Sequence, residues 1–309
     1  MLVVVNPYAT SVDRKMRDLV LAALSSRYEV EVADTDAPGH ARELAAAAAG
    51  DGTEIVATLG GDGTLNEAAA ALAGSDIPLY PLPGGSQNVF AKLLGLPSEI
   101  VDSTARLLEL SDLWPLRRVD LGRANNRVFT FSAGVGLDAS VVAKVDANPE
   151  RKARLRQWSY LQSGISVFLR SYALRKPRIS VETDRGDVAA TTVLVQNGEN
   201  FTFAGPTPVT LCGNVGLDSG SFSAALVNSG APLRAAVTAL RIFGATAASG
   251  GKNGTTQLGP LTSIRLRSRD GEPLPLQVDG DFAGEHSAVE FAIEPGVLTV
   301  LAPPATSQA

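Results

Sequence analysis

Glu54-Ile-Val-Ala-Thr-Leu-Gly-Gly-Asp-Gly-Thr-Leu-Asn-Glu67 reads as a β-strand, a glycine loop and the opening of an Ala-rich helix that stops at Gly74. Three glycines within four positions (Gly60, Gly61, Gly63) free the backbone to turn sharply and let another group approach the main chain. The helix behind them points its free N–H groups and the positive end of its dipole at the loop, an arrangement that attracts anions. A purely local reading also holds: Thr64 and Glu67 have capping-box spacing.

The same order recurs downstream. Residues 77–82 read as a strand, followed by Pro83-Gly-Gly-Ser-Gln-Asn88 and a further helix. Neighbouring parallel strands would put both loops at the carboxyl edge of one sheet, the ligand crevice of open α/β folds. Ser86 and Asn88 would then offer a hydroxyl and an amide to phosphates or a ribose. Upstream, residues 2–5 and 28–33 read as strands, and residues 13–24 and 41–49 have helical spacing. Strands separated by helices imply a parallel sheet with helices packed on it. Neither loop is a Walker A motif, because no lysine follows the glycines; main-chain N–H groups and Mg²⁺ would have to neutralise a bound phosphate.

Beyond Trp114-Pro115 the texture changes to short β-branched or alternating runs: 118–121, 128–132, 178–183, 189–196, 222–227, 263–267, 274–278, 288–293 and 297–301. Turn residues separate them, which implies an antiparallel, β-rich second domain. The expected division is therefore an α/β domain over 1–115 and a β-rich domain over 116–309, whose last segment packs back on the first domain. A helix is expected around 150–175.

A net charge of −5 argues against a nucleic-acid partner. The single cysteine, Cys212, rules out a disulfide within the chain and fits a reducing compartment. The opening apolar run is too short for a signal peptide, and no run approaches the roughly 18 apolar residues of a membrane span, so a cytoplasmic location is expected. The two histidines, His40 and His286, read as surface or capping residues; no His/Cys cluster suggests zinc, and no Gly-x-Ser-x-Gly elbow suggests a hydrolase.

Five motifs in a fixed order carry a resemblance: Asn6-Pro7, Gly60-Gly-Asp-Gly-Thr64, Pro83-Gly-Gly-Ser-Gln-Asn88 with Phe90-Ala91, Phe131-Ser-Ala-Gly-Val-Gly-Leu-Asp138, and Gln277-Val-Asp-Gly-Asp281. Together they resemble the bacterial diacylglycerol kinase and sphingosine kinase-like lipid kinases. The first loop alone is shared with NAD kinases. The resemblance implies an NAD kinase-like α/β domain, a C-terminal β-sandwich, and an ATP site in a cleft between them. It puts nucleotide contacts on Asn6, Thr35, the run Gly60, Gly61, Asp62, Gly63, Thr64 and Asn66, and on Gly85, Ser86 and Asn88. Thr35 enters through Thr35-Asp-Ala-Pro-Gly-His-Ala41, a looser match. Asp62 would orient Mg²⁺ or the nucleotide. The general base falls in the family's Asp-Gly-Glu motif, here Asp279-Gly280-Asp281, so Asp279 and Asp281 are the catalytic candidates. An Asp-Gly pair is also a leading hairpin-turn signal.

The chain departs from the family pattern in three places. Tyr8-Ala9-Thr10 follows Asn6-Pro7 where a Ser-Gly pair is usual. Asp281 stands where Glu is usual. Leu217-Asp218-Ser219-Gly220-Ser221 has one carboxylate in a turn where the family's second metal site uses two, leaving Asp218 as a candidate ligand or a plain turn residue. The implied activity is transfer of the γ-phosphate of ATP, with Mg²⁺, to a lipid hydroxyl, most simply that of diacylglycerol. The rivals are an NAD kinase-like enzyme and a nucleotide- or lipid-binding protein without catalysis. The sequence leaves oligomeric state and acyl-chain preference open.

Residues 151–178 contain eight Lys/Arg and no acid, and Leu155, Trp158, Leu161, Ile165, Phe168, Leu169 and Tyr172 recur at helical spacing. Such a helix either lies on an anionic membrane through residues 151–172 or packs its apolar face on the sandwich. Replacing Arg151, Lys152, Arg154 and Arg156 together should weaken sedimentation with anionic liposomes; unchanged sedimentation assigns the helix to packing.

Overall fold

The computed structural model describes residues 1–9, 12–110, 116–136, 177–183, 186–204, 207–213, 215–227 and 255–304. The chain divides into two compact units, Met1–Leu121 with Pro295–Ala309, and Gly122–Glu294. The expected helix around 150–175 and the membrane reading of 151–172 lie outside the described residues.

In the first unit β1 (Leu2–Val5), β2 (Glu31–Asp34), β3 (Val56–Gly60) and β4 (Leu79–Pro83) alternate with α1 (Arg14–Ser25), α2 (His40–Ala48), α3 (Asp62–Leu72), α4 (Val89–Leu93) and α5 (Ile100–Leu110). The last part of β18 (Ala288–Leu301) closes the sheet beside β4, giving the parallel order β2-β1-β3-β4-β18. Strands β1, β3 and β4 are buried along their whole length, as parallel strands covered on both faces must be. The edge strand β2 instead reads Glu-Val-Ala-Asp and is largely exposed. Asp13 starts α1 by accepting from Met16 N at 2.8 Å. Buried alanines, Ala41, Ala45 and Ala48 on α2 and Ala68 and Ala69 on α3, let these two helices lie close on the sheet.

The strand order places a topological switch between β1 and β3, since the chain moves outward from β1 to β2 and then returns to the far side. Register aligns the strand ends. Val5 pairs with both Asp34 and Leu59, and Gly60 pairs with Pro83. Thr35, Asn6, Gly60 and Pro83 therefore form one row across four adjacent strands at the carboxyl edge.

The second unit is an antiparallel sandwich. One sheet runs β18-β15-β8-β9, with β5 (Leu116–Ala124) and β6 (Arg127–Phe129) beside β18; the other runs β14-β13-β10-β7-β16-β17. Here β7 is Ser132–Val135, β8 Ile179–Glu182, β9 Val188–Ala190, β10 Thr192–Gln196, β13 Phe222–Val227, β14 Thr255–Leu261, β15 Ser263–Ser268, β16 Leu274–Val278 and β17 Asp281–His286. A separate ribbon pairs β11 (Thr202–Ala204) with β12 (Thr207–Val209). Both inner faces supply one core, in which Phe129 meets Phe291 edge to face at 6.2 Å. In β15 Ile264 and Leu266 point in while Arg265 and Arg267 stay exposed.

Four expected runs take a different form. Residues 128–132 are not one strand: β6 and β7 belong to different sheets, and the chain changes sheet at Thr130-Phe131. Residues 189–196 break likewise at Thr191, between β9 and β10. Conversely, the runs 288–293 and 297–301 join into the single strand β18, which passes through Pro295.

Candidate active site

The row at the carboxyl edge is tied together through α3. This helix begins after Gly61, which is extended (φ −93°, ψ −175°) and makes no side-chain cap. Thr64 and Glu67 do not form the expected capping box. The Thr64 hydroxyl accepts from Asn6 Nδ2 at 3.1 Å, so it holds the loop after β1. Asn6 Oδ1 in turn accepts from Tyr8 N at 2.9 Å. The Glu67 carboxylate reaches sideways to α2, accepting from Gly39 N at 2.7 Å and Ala41 N at 3.2 Å. Asp62 Oδ1 accepts from Phe90 N at 3.2 Å, in the first turn of α4. Two carboxylates of α3 thus cap the helices on either side of it.

The two glycine loops touch along their backbones. Gly84 N donates to Gly60 O at 2.8 Å. A Cβ on Gly85 would lie 2.7 Å from Gly61 Cα, and one on Gly84 would lie 3.1 Å from Gly60 N. A Cβ on Gly60 would meet the Thr64 side chain at 2.8 Å. Contact between the loops therefore accounts for the glycines at 84 and 85, and the Thr64 side chain for that at 60, whatever either loop binds.

Each sequence candidate in this unit can be placed. Thr35 is buried, and its N–H donates to Val5 O at 2.8 Å. Gly63 and Ser86 are exposed, and Asn66 is half-buried on α3. Asn88, at φ +48°, closes its own loop, accepting from Gly85 N at 3.0 Å and donating to Gly85 O at 2.8 Å. The Asn88 amide therefore shapes the loop. Burial pushes the Lys92 ammonium below its ordinary value, and the Asp62 carboxylate pulls it back. Sequence reading missed Glu67 as a brace and Lys92 as a cation; Lys92 lies beyond the span in which a loop lysine is sought.

In the second unit Asp279 and Gly280 are the two-residue loop between β16 and β17, with Val278 paired to Asp281. Both have positive φ, +48° and +88°, as a type I′ turn requires. The Asp279 side chain turns inward and accepts four hydrogen bonds. Oδ2 takes Thr130 N at 2.7 Å and Thr130 Oγ1 at 2.8 Å; Oδ1 takes Phe131 N at 3.1 Å and Ser132 N at 2.9 Å. These are the N–H groups of the segment that changes sheet, where ladder partners run out. Burial pushes the Asp279 carboxyl above its ordinary value, against the opposing pull of these donors. Asp281 lies on the exposed side of the turn.

Asp218 is exposed in its turn, with the Ser219 hydroxyl donating to Gly216 O at 2.9 Å. Among the described residues no group of three or more His, Cys, Asp or Glu side chains could hold a metal. His40 is half-buried and its Nδ1 accepts from Asp36 N at 3.0 Å. His286 is also half-buried rather than exposed, with Nε2 3.0 Å from Ala283 O. Burial pushes the Cys212 thiol up to about 11, which makes it a poor nucleophile.

Comparison with known proteins agrees with these features. Residues 1–124 match the family model of the diacylglycerol kinase catalytic domain. A Pseudomonas savastanoi protein named "Probable lipid kinase YegS-like" is 30% identical over 165 residues, 53% of this chain and 52% of that one. A Mycobacterium tuberculosis diacylglycerol kinase is 28% identical over 281 residues, 89% of this chain and 84% of its own length. The chain spans about half the length of the curated relatives it matches first. Among solved structures, a Bacillus anthracis diacylglycerol kinase superposes with a TM-score of 0.69 at 19% identity, covering 98% of this chain and 97% of that one. The first 124 residues thus match a diacylglycerol kinase catalytic domain, and the α/β unit and antiparallel sandwich share the fold of such kinases.

Gly85→Ala should lower thermal stability by about 1–3 kcal/mol, because backbone faces the new methyl. Gly50→Ala is the control, since its Cβ would sit 3.7 Å from Ala47 O. Asp279→Asn should lower stability by about 3 kcal/mol, because an NH₂ group would confront donors. Thermal melts of the three variants check both statements.

Proposed function

We propose that this chain, whose first 124 residues match the diacylglycerol kinase catalytic domain, is an ATP- and Mg²⁺-dependent lipid kinase that converts diacylglycerol to phosphatidic acid. One observation carries the nucleotide assignment. Of the four helices that follow these parallel strands, α1 is capped by Asp13, α2 by Glu67 and α4 by Asp62, whereas α3 has no side-chain cap. Its N-terminus stands at the topological switch with Gly63 exposed, and it is the helix end suited to a phosphate.

The residues present fit the nucleotide. The first N–H groups of α3 would receive a phosphate, and the exposed Ser86 would add a hydroxyl. Gln87 Oε1, buried without a hydrogen-bond partner among the described residues, would accept from a ribose hydroxyl. Mg²⁺ keeps several waters and needs few protein carboxylates, so Asp62 beside the phosphates suffices to hold it. Bound there, the ion would neutralise charge on the transferring phosphoryl group.

In the reaction the lipid hydroxyl oxygen bonds to the γ-phosphorus, the bond from that phosphorus to the β–γ bridging oxygen breaks, and ADP departs. The hydroxyl proton needs an acceptor, the role that the family resemblance gives to the Asp279-Gly280-Asp281 turn. Asp279 holds four donors already, so the acceptor is Asp281, and Asp279 fixes the turn that presents it. That same occupancy of Asp279 favours the second reading, a binding protein without catalysis, if Asp281 proves inert.

Purified protein with γ-labelled ATP, Mg²⁺ and anionic vesicles containing diacylglycerol should move label into phosphatidic acid. Asp281→Asn should lower kcat roughly 10²–10⁴-fold and leave ATP binding intact. ATP binding with no label in any lipid of a bacterial extract would establish the binding protein instead.

A further inference from the structure

We infer that Glu67 is a positioning residue of the nucleotide site: from α3 it fixes the segment after β2 level with Asn6 and the first glycine loop. The inference rests on the nucleotide site proposed above. Thr35 follows the pair Val5–Asp34, as Gly60 follows the pair Val5–Leu59, so Thr35 shares one row with Asn6 and Gly60. The backbone from Thr35 to Gly39 then climbs to α2. Gly39 is left-handed at φ +92° and offers no side chain, so α2 lacks a local cap.

Glu67 supplies what is missing. Its two oxygens take Gly39 N at 2.7 Å and Ala41 N at 3.2 Å, across 28 and 26 residues. The side chain is half-buried, and its charge sits at the positive end of α2. The same α3 holds the β1 loop through Thr64 and the β4 loop through Asp62. The three loops flanking the phosphate position are thus referenced to a single helix, and Glu67 is the tie to the β2 loop. Occupying the start of α2 also keeps that helix end from competing for phosphate.

A cap that only stabilised the fold would change the melting temperature and the amount of active protein, but not nucleotide affinity. A positioning role separates KM from kcat. Glu67→Gln keeps one acceptor and turns an NH₂ toward a backbone N–H; Glu67→Ala removes both acceptors. The expected result is a KM for ATP raised about 10-fold by Gln and further by Ala. The KM for lipid should hold within a factor of about 2, and kcat should change far less than KM. Amide exchange at Gly39 and Ala41 should accelerate in step. Asp51→Ala, which removes a turn contact ahead of β3 at the opposite edge of the sheet, should lower stability without moving KM.

Equal KM for ATP in wild type and Glu67→Gln overturns the inference. If neither Glu67 variant folds, exchange in the wild type decides: MgATP should protect residues 35–41 as well as 60–66, and protection confined to 60–66 overturns it. Wild type that binds no MgATP at all overturns the proposed function itself, a result that appears before any variant is made.

Discussion

Backbone contact between Gly60-Gly61 and Gly84-Gly85 sets the geometry from which the rest of the first unit follows. The hydrogen bond from Gly84 N to Gly60 O brings the loops after β3 and β4 within van der Waals reach, with no room for a β-carbon on Gly85. The β4 loop can lie that close to the β3 loop only with glycine at 84 and 85. The glycines are therefore required before any ligand arrives, and a phosphate-binding role is an additional use of a geometry already fixed.

The carboxylates of α3 show how that end is reserved. Acidic side chains near a helix start normally stabilise their own helix. Here Asp62 and Glu67 serve α4 and α2 instead. The exchange leaves α3 with its dipole unneutralised by a side-chain cap and removes rival anion sites on both sides. The half-buried Lys92, held below its ordinary pKa by burial and supported by Asp62, adds a cation on the α4 side. The helix ends on either side of α3 are thus filled, while its own start has no side-chain cap.

Strand periodicity, helix stops and glycine loops were readable because each depends on residues close in sequence. The parallel sheet, its switch point and the neighbouring loops follow from them. What was not readable depends on distance in space. Glu67 fits a capping box by spacing, yet its partners lie 28 and 26 residues earlier, reached because small alanines let α2 approach α3. The run 128–132 alternates like one strand, but its Thr130 and Phe131 N–H groups go to a carboxylate 149 and 148 residues later. Hydrophobic alternation does not record which sheet a strand joins, so changes of sheet at Thr130-Phe131 and Thr191 leave no mark in the pattern.

Asp279-Gly280 shows that hairpin chemistry and site chemistry are not alternatives. The type I′ turn demands positive φ at both positions, and an Asp tolerates it. That conformation, together with register, swings the Asp279 carboxylate inward onto the N–H groups left without ladder partners at the sheet change. An aspartate so anchored cannot move to follow a substrate, so the turn becomes a rigid mount for its next carboxylate. Asp281 starts β17 opposite Val278, and its backbone is held by pairing. A glutamate there, as the resemblance implies elsewhere, would reach further by one methylene and could adapt by rotating. The shorter aspartate keeps its charge closer to the turn. If Asp281 is the base proposed above, a short carboxylate on a rigid mount would demand closer seating of the acceptor hydroxyl than a longer one.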